Sequence, residues 1–323
     1  MHLPSTLTRR TGAIGLLGAA ALAIAGCGSA AHHSTSASAG SSGVGGAVIA
    51  KAADISGAAK GERVAYTLTE SLPSVGTVQV AGTGAFNAKP AEGQLNLTVA
   101  APNASGLGLA GTLLAHLPLS LVLANKTVYL KIPSSVQSLV GSFTHNKSWI
   151  SINLADLAGA SKIPGLSSVL NGQTNPTDPA AELKQFEAAA TNGVTKVGSA
   201  TVNGVATTEY SGTLDLAKLS QRLPAALRSA MSHQLARAAK AIGSTKLPFT
   251  VYIDSANLIR RLDLSFSGSH AGSAVKATMQ MDFLAYGPQP APTIPPAADT
   301  FGINGLLGSL KSLAASAGAG LGG

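Results

Sequence analysis

The stretch TKVGSATVNGVATTEYSGTL, Thr195 to Leu214, decides the fold. Asn203-Gly204 is the dipeptide that closes a two-residue hairpin, because both residues accept the positive φ that such a turn needs. On either side, Thr195 to Val202 and Val205 to Leu214 are rich in Thr and Val, the residues that fit a pleated surface. Working outward, the same grammar recurs. Leu119 to Ala124 and Thr127 to Ile132 face each other across Asn125-Lys126. Arg63 to Ser71, Gly76 to Asn87, Gly93 to Ala100, Ser148 to Leu154, Phe249 to Asp254, Leu258 to Phe266 and Ala274 to Tyr286 read as further strands with Gly and Pro between them.

Alternation assigns faces. Val78, Val80 and Phe86 share one parity, as do Leu95, Leu97 and Val99, with Gln79, Gln94, Asn96 and Thr98 on the other side. Val251 and Ile253, then Leu262, Leu264 and Phe266, then Met279, Met281 and Phe283 repeat the pattern. Helical segments are predicted over Ala47 to Lys60, over Asp178 to Ala190 with an acidic first turn, and over Asp215 to Ala241 with a break near Pro224. Hairpin links rather than strand–helix–strand spacing give the fold class α+β, an antiparallel sheet with helices on one face. Gly106 to Leu117 reads as a mobile apolar flap over that sheet.

The amino terminus is a separate unit. Arg9-Arg10 precedes an uncharged apolar run to Gly26, which is shorter than the roughly 20 residues of a comfortable span. A charged flank, a short apolar run and small residues before a cut site make a secretory leader. Its end, Ile24-Ala25-Gly26-Cys27, matches the lipobox of bacterial lipoproteins, and Cys27 is the chain's single cysteine. The expectation is a signal peptide over 1–26, acylation of Cys27, and a Ser/Ala/Gly tether over 27–46. A domain over 47–300 and an apolar Gly/Ala-rich tail over 301–323 follow. The anchor places the domain on the extracytoplasmic face of the cell membrane. With its one thiol acylated, the mature chain forms no internal disulfide.

Composition excludes several classes. Charged residues are 11% and aromatic residues 4% of the 323, and the formal charge of +8 counts Arg9 and Arg10, which leave with the leader. Basic residues lack interleaved aromatics, so nucleic acid is not an expected partner. Gly106-Leu107-Gly108-Leu109-Ala110-Gly111 fits G-x-G-x-x-G, but no acidic residue occurs between Glu92 and Asp156 to complete a dinucleotide site. There is no G-x-S-x-G elbow, and His116, His145, His233 and His270 are scattered without a second ligand at metal spacing. The expectation is therefore no catalytic residue, no metal and no cofactor.

Longer runs carry a family likeness. Asp178-Pro179-Ala180-Ala181-Glu182-Leu183 leads through Val194 to Gly198 and Val202 to Thr213. Leu247-Pro248-Phe249-Thr250-Val251-Tyr252-Ile253-Asp254 precedes Ile259-Arg260-Arg261-Leu262. With Asn125 to Leu130 and Lys147 to Ile150, these resemble the LppX/LprG/LprA/LprF lipoproteins of actinobacteria, over most of Ala47 to Pro296. The resemblance implies a sheet curled into a half-barrel with helices on its concave face, similar in shape to periplasmic carriers of lipoproteins. It also implies an acylated lipid or glycolipid ligand held between sheet and helices, with an envelope transporter as a possible partner. The family has no catalytic signature, and Gly106 to Leu117 and the tail after Phe301 fall outside the likeness.

On that expectation the cavity lining is the inward parity set: Val78, Val80 and Phe86; Leu95 and Leu97; Leu121, Leu123 and Leu130; Ile253, Leu264 and Phe266; and Met279, Met281 and Phe283. Each serves equally well as ordinary core, since the same alternation builds both. Arg222 and Arg228, among the basic residues Lys218, Arg237, Lys240, Arg260 and Arg261, are candidates for a rim that meets anionic head groups, or for a solvated helix face. Two other readings stay open. One is a surface lipoprotein with a packed core that serves as a protein-interaction or structural module; the other is a sensor domain for an apolar ligand.

Overall fold

The computed structural model describes residues 44–72, 76–104, 108–154, 190–222, 236, 239, 244–270 and 273–303. In chain order the elements are α1 (Val44–Gly57), β1 (Gly61–Leu72), β2 (Gly76–Asn87), β3 (Glu92–Ala100), α2 (Leu109–Leu114), β4 (Leu117–Ala124), β5 (Thr127–Lys131), α3 (Ser134–Thr144) and β6 (Trp149–Asn153). Then come β7 (Ala190–Val202), β8 (Val205–Asp215), α4 (Leu216–Arg222), β9 (Lys246–Asp254), β10 (Ile259–His270), β11 (Ser273–Tyr286) and β12 (Thr300–Gly302).

The strands form one 12-stranded sheet in the order β12-β6-β5-β4-β3-β2-β1-β11-β10-β9-β8-β7. It is two antiparallel meanders, β1 to β6 and β7 to β11, joined where β1 pairs with β11. Among the described strands only β12, beside β6, runs parallel to its neighbour. The edges β12 and β7 do not pair, so the curled sheet stays open, and the half-barrel expected from the sequence is the architecture found.

Turn chemistry sets the register. Asn125 and Lys126 both have positive φ (51° and 58°), as do Asn203 and Gly204 (49° and 81°), which is the primed turn that matches strand twist. The curl comes from glycines on the concave face. A side chain at Gly82 would collide with the Asn96 carbonyl across the β2–β3 ladder. Gly84 and Gly93 are covered by the Phe86 ring, 2.6 Å and 2.5 Å from where their Cβ atoms would stand, and Gly212 lies under the Phe249 ring at 2.6 Å. An aromatic ring laid over a strand glycine restores the burial that the missing side chain gives up, while the backbone bends inward.

Helix α1 closes one half of the concavity. Ile49, Ala52, Ala53 and Ser56 recur at helical spacing and all are buried, with Ile49 1% exposed. The two alanines let the helix approach β7 and β10 closely. Ser56 Oγ accepts from the Ile259 backbone N–H at 3.1 Å, satisfying a buried donor at the irregular start of β10. At the start of α4, Asp215 Oδ1 accepts from the N–H groups of Ala217 (2.9 Å) and Lys218 (3.3 Å), an N-cap.

Three sequence expectations are corrected. Gly106 to Leu117 is not a mobile flap where it is described: Leu109–Leu114 is helical, Leu114 packs on Val78 and Ala101, and the Ala101 N–H donates to the Leu114 carbonyl at 2.8 Å. Leu114 thus lies over the inward face of the sheet, in the cluster of Val78, Ala101, Ala104 and Val275, and is fixed to the end of β3. The ends also move. Helix α1 begins at Val44, inside the stretch assigned to the tether, because Gly45 and Gly46 are buried and Gly45 lies against the Val194 carbonyl of β7. Strand β12 takes Phe301 and Gly302, assigned to the tail, into the sheet beside Ile150 and Ser151. The helix expected over Asp178 to Ala190 lies outside the described residues, apart from Ala190, which begins β7. Cys27 and its lipobox also lie outside them.

Candidate functional site

The register puts the whole expected lining on one face. Val80 faces Leu68, Leu68 faces Met279, and Met279 faces Leu264, in one row across β2, β1, β11 and β10. A second row runs Leu95, Leu121, Leu130, Ile150 across β3 to β6. Phe86 lies opposite Gly93, which faces Leu123, and Leu97 lies opposite Gly82. Met281 pairs with Tyr66, Phe283 with Val64, Phe266 with Ala277, Val78 with Glu70, and Ile253 with Thr208.

Burial divides that face. Val78, Val80, Ile253, Met281 and Phe283 are buried, most of them in the core beneath α1, and act as ordinary packing. Leu95, Leu97, Leu121, Leu123 and Leu130 are only half-buried, as are Leu119, Val128, Ile150 and Ile152 beside them. Phe86, Leu264, Phe266 and Met279 are also half-buried. Among the described residues the β3–β6 half is thus a half-buried apolar surface, with Leu97 packed against the core at its border, where each further covered methylene is favourable by about 0.8 kcal/mol.

The central strand β1 puts polar side chains on this face that were not legible as site candidates: Glu62, Tyr66 and Glu70, all buried. Tyr66 is 8% exposed, and its hydroxyl is buried with no hydrogen-bond partner among the described residues. Burial alone pushes its phenol up to about 12. An unpaired buried hydroxyl costs about 1–3 kcal/mol. Glu70, 6% exposed, stands between Val78 and Ala277, and burial raises its carboxyl above the ordinary value of 4.5. The sequence signal was available: a Glu at the parity that Val64, Tyr66 and Leu68 share.

Glu70 makes a pH prediction. A carboxyl whose folded pKa is raised holds its proton more tightly in the folded state, so its charge penalises stability above the folded pKa and the penalty vanishes below 4.5. Glu70→Gln is expected to raise the melting temperature at pH 7 and to leave it within about 1 °C of wild type at pH 4. Thermal unfolding at the two pH values reads this, and an equal shift at both contradicts it.

The opposite face buries Val122 and Ala124 on β4 and carries ion pairs on β10 and β11. Arg261 donates from Nε and Nη2 to the two carboxylate oxygens of Asp282 (2.5 Å and 2.8 Å), and Asn203, at the β7–β8 hairpin tip, donates to Asp282 Oδ2 at 3.3 Å. Asp263 beside them is held above the usual carboxylate range, mainly by burial, with Arg261 opposing. Arg260 Nε donates to Asp254 Oδ2 at 2.7 Å, and Asp254 Oδ1 accepts from the Ala256 and Leu258 N–H groups. Arg260 and Arg261 are therefore each held in an ion pair within the fold. Their carboxylate partners approach only through the turn and the β11 pairing. Of the rim candidates, Arg222 ends α4, and Arg228 lies outside the described residues.

A cleft of about 440 Å³ opens between the β7–β8 hairpin and the end of β9, lined by Ser199 to Thr201, Ala206 to Thr208 and Ile253 to Ser255. It takes only Ile253 from the expected lining. Among the described residues no group of three His, Cys, Asp or Glu could hold a metal, and no helix is long and apolar enough to cross a membrane. Helix α3 leaves Leu139 and Phe143, one turn apart, 49% and 68% exposed.

No family model and no curated protein matches the chain. Among solved structures it is similar to LprF from Mycobacterium bovis, at 17% identity and TM-score 0.40, covering 77% of this chain and 96% of that one. Lipoprotein LppX from Mycobacterium tuberculosis follows at 14% and 0.39, covering 76% and 97%. A LolA superfamily protein from Nitrosomonas europaea stands at 7% and 0.25, covering 77% and 94%. The first two belong to the group that the sequence resembles.

Proposed function

We propose that this chain is a membrane-anchored lipoprotein that binds or carries an acylated lipid or glycolipid against the β3–β6 half of its concave face. The observation that carries the reading is the half-buried run Leu95, Leu97, Leu121, Leu123 and Leu130 on an open sheet. Such a surface needs little polar chemistry, because an acyl chain gains its affinity from methylenes removed from water. The anchor on Cys27 holds the domain at the outer side of the cell membrane, where acylated lipids are at hand. No step of this function requires a nucleophile, a base or a cofactor, so the reading is of a binding protein and not an enzyme.

The test is extraction of a fluorescent diacyl phosphatidylglycerol from vesicles by the full chain carrying Cys27→Ala. Asp placed at Leu95 and Leu121, which face each other across β3 and β4, is expected to lower extraction more than tenfold, since a charge on an apolar surface costs several kcal/mol. Extraction unchanged by that pair contradicts the site. A second reading, a module that docks to a protein partner, is favoured by the bared Leu139 and Phe143. It predicts no extraction by the wild-type chain at all.

A further inference from the structure

We infer that helix α3 is a membrane-docking element: Leu139 and Phe143 enter the surface of an anionic bilayer, with Lys131 and Lys147 set at its phosphates. The inference rests on the membrane-anchored reading and adds to it the side of the domain that faces the lipid.

The helix is turned inside out. Val136, Leu139, Val140 and Phe143 recur at the spacing of one helix face, the stripe that a surface helix ordinarily turns to the core. In α3 the buried residues are instead Gly141 and Thr144, while Leu139 and Phe143 stand 49% and 68% exposed. The fold holds it that way. Gln137 Nε2 donates to the carbonyls of Asn146 (3.4 Å) and Lys147 (3.5 Å), and the Asn146 N–H donates to the Gly141 carbonyl at 2.8 Å. Among the described residues the other exposed large apolar side chains, Ile55, Val197 and Ile294, stand singly on separate segments, as surface residues commonly do.

Charge and chain length choose the occupant. Lys131 ends β5 just before α3, Lys147 follows the helix, and no carboxylate occurs from Gly93 to Ala155. Lys147 Nζ donates to the Ala298 carbonyl at 2.7 Å and keeps its charge at the surface. Asp299 is the acid that the chain brings back to this end, where its carbonyl accepts from the Ser148 N–H. Lys131 stands 5.9 Å from the ring centre of Trp149, the only tryptophan in the chain. Trp and Lys beside bared Leu and Phe are the side chains of elements that lie in a lipid interface. Val44, where the described fold begins, is 17 positions after Cys27. That lead reaches about 60 Å when extended, so a domain anchored at Cys27 always has a bilayer within reach of α3. A short apolar stripe then suffices, because the anchor supplies the effective concentration.

The experiment uses the full chain with Cys27→Ala and one new thiol, Ser142→Cys on α3 or Ser267→Cys on β10, both exposed positions. Each thiol carries an environment-sensitive fluorophore, and the probe is a vesicle of phosphatidylcholine and phosphatidylglycerol. Any hold that the apolar leader takes on the vesicle is common to all variants. The α3 label is expected to shift to the blue and to be quenched by chain-brominated lipid, while the β10 label does neither. Leu139→Ser with Phe143→Ser is expected to weaken the α3 response about tenfold or more, with the melting temperature unchanged because both side chains are bared. Lys131→Gln is expected to weaken it about fivefold. A silent α3 label overturns the inference and leaves the stripe to a protein partner. Equal responses from the two labels overturn it, as does a response undiminished by either set of substitutions. A marked fall in melting temperature in the Leu139 and Phe143 variant also overturns it, since the stripe would then be packed within the fold. Lipid extraction is read on the same vesicles: no extraction beside an intact α3 response overturns the carrier reading alone.

Discussion

Gly82→Val is expected to destabilise the domain by about 3 kcal/mol, at the upper end of what overpacking costs. The position lies in the middle of β2, where an added Cβ meets the carbonyl of Asn96 and comes within 2.8 Å of Leu97 Cα, both on the neighbouring strand. Backbone cannot rotate away as a side-chain tip can. The β2–β3 ladder must either open or flatten, and flattening removes the inward bend on which the concavity depends. A chemical-denaturation curve should show a lower midpoint with a nearly unchanged slope. Gly204→Val, in the hairpin turn, would strain the backbone through its φ of 81° but would leave the curl intact, so lipid capture separates the two effects. An unchanged midpoint for Gly82→Val would mean that the curl does not depend on a bare backbone at this position.

Ile49→Ala is the second large effect. Ile49 is among the largest fully buried side chains, and it fills the space between α1 and the sheet. Truncation loses its transfer free energy and leaves a cavity that the flanking Ala52 and Ala53 are too small to fill, for a total of about 3–4 kcal/mol. The loss should fall on the α1-covered half. Amides of β9 and β10 are expected to exchange faster with solvent, while those of β4 and β5 keep their protection. Uniform loosening of the whole sheet would contradict the division into a closed and an open half.

Much of this fold was legible in the sequence for local reasons. Asn203-Gly204 and Asn125-Lys126 announced their hairpins because few residue pairs tolerate two positive φ angles in succession. Parity placed the whole lining set on one face because strands have period two, and nothing along β2 or β3, or along β11 up to Phe283, disturbs it. What alternation does not encode is what covers that face. Met281 and Leu97 follow the same rule, yet Met281 lies in the core under α1 and Leu97 stays half-buried. The ion pairs of Arg260 and Arg261 were equally illegible, since Asp282 reaches Arg261 only once β11 lies beside β10. The inward glycines of β2 and β3 left no mark on the parity pattern, because their meaning lies in partners that only the fold supplies, Phe86 and the Asn96 carbonyl.

The central claim, that the open half of the concave face holds an acylated lipid, is tested most directly by native mass spectrometry with lipid extraction. The sample is the chain with Cys27→Ala, so that no covalent acyl group is counted, purified from an actinobacterial host. A stoichiometric diacyl lipid or glycolipid that co-purifies with the chain is the result expected. A clean ligand-free mass that stays unchanged after incubation with envelope lipids would contradict the claim and leave the bared Leu139 and Phe143 of α3 as the functional surface.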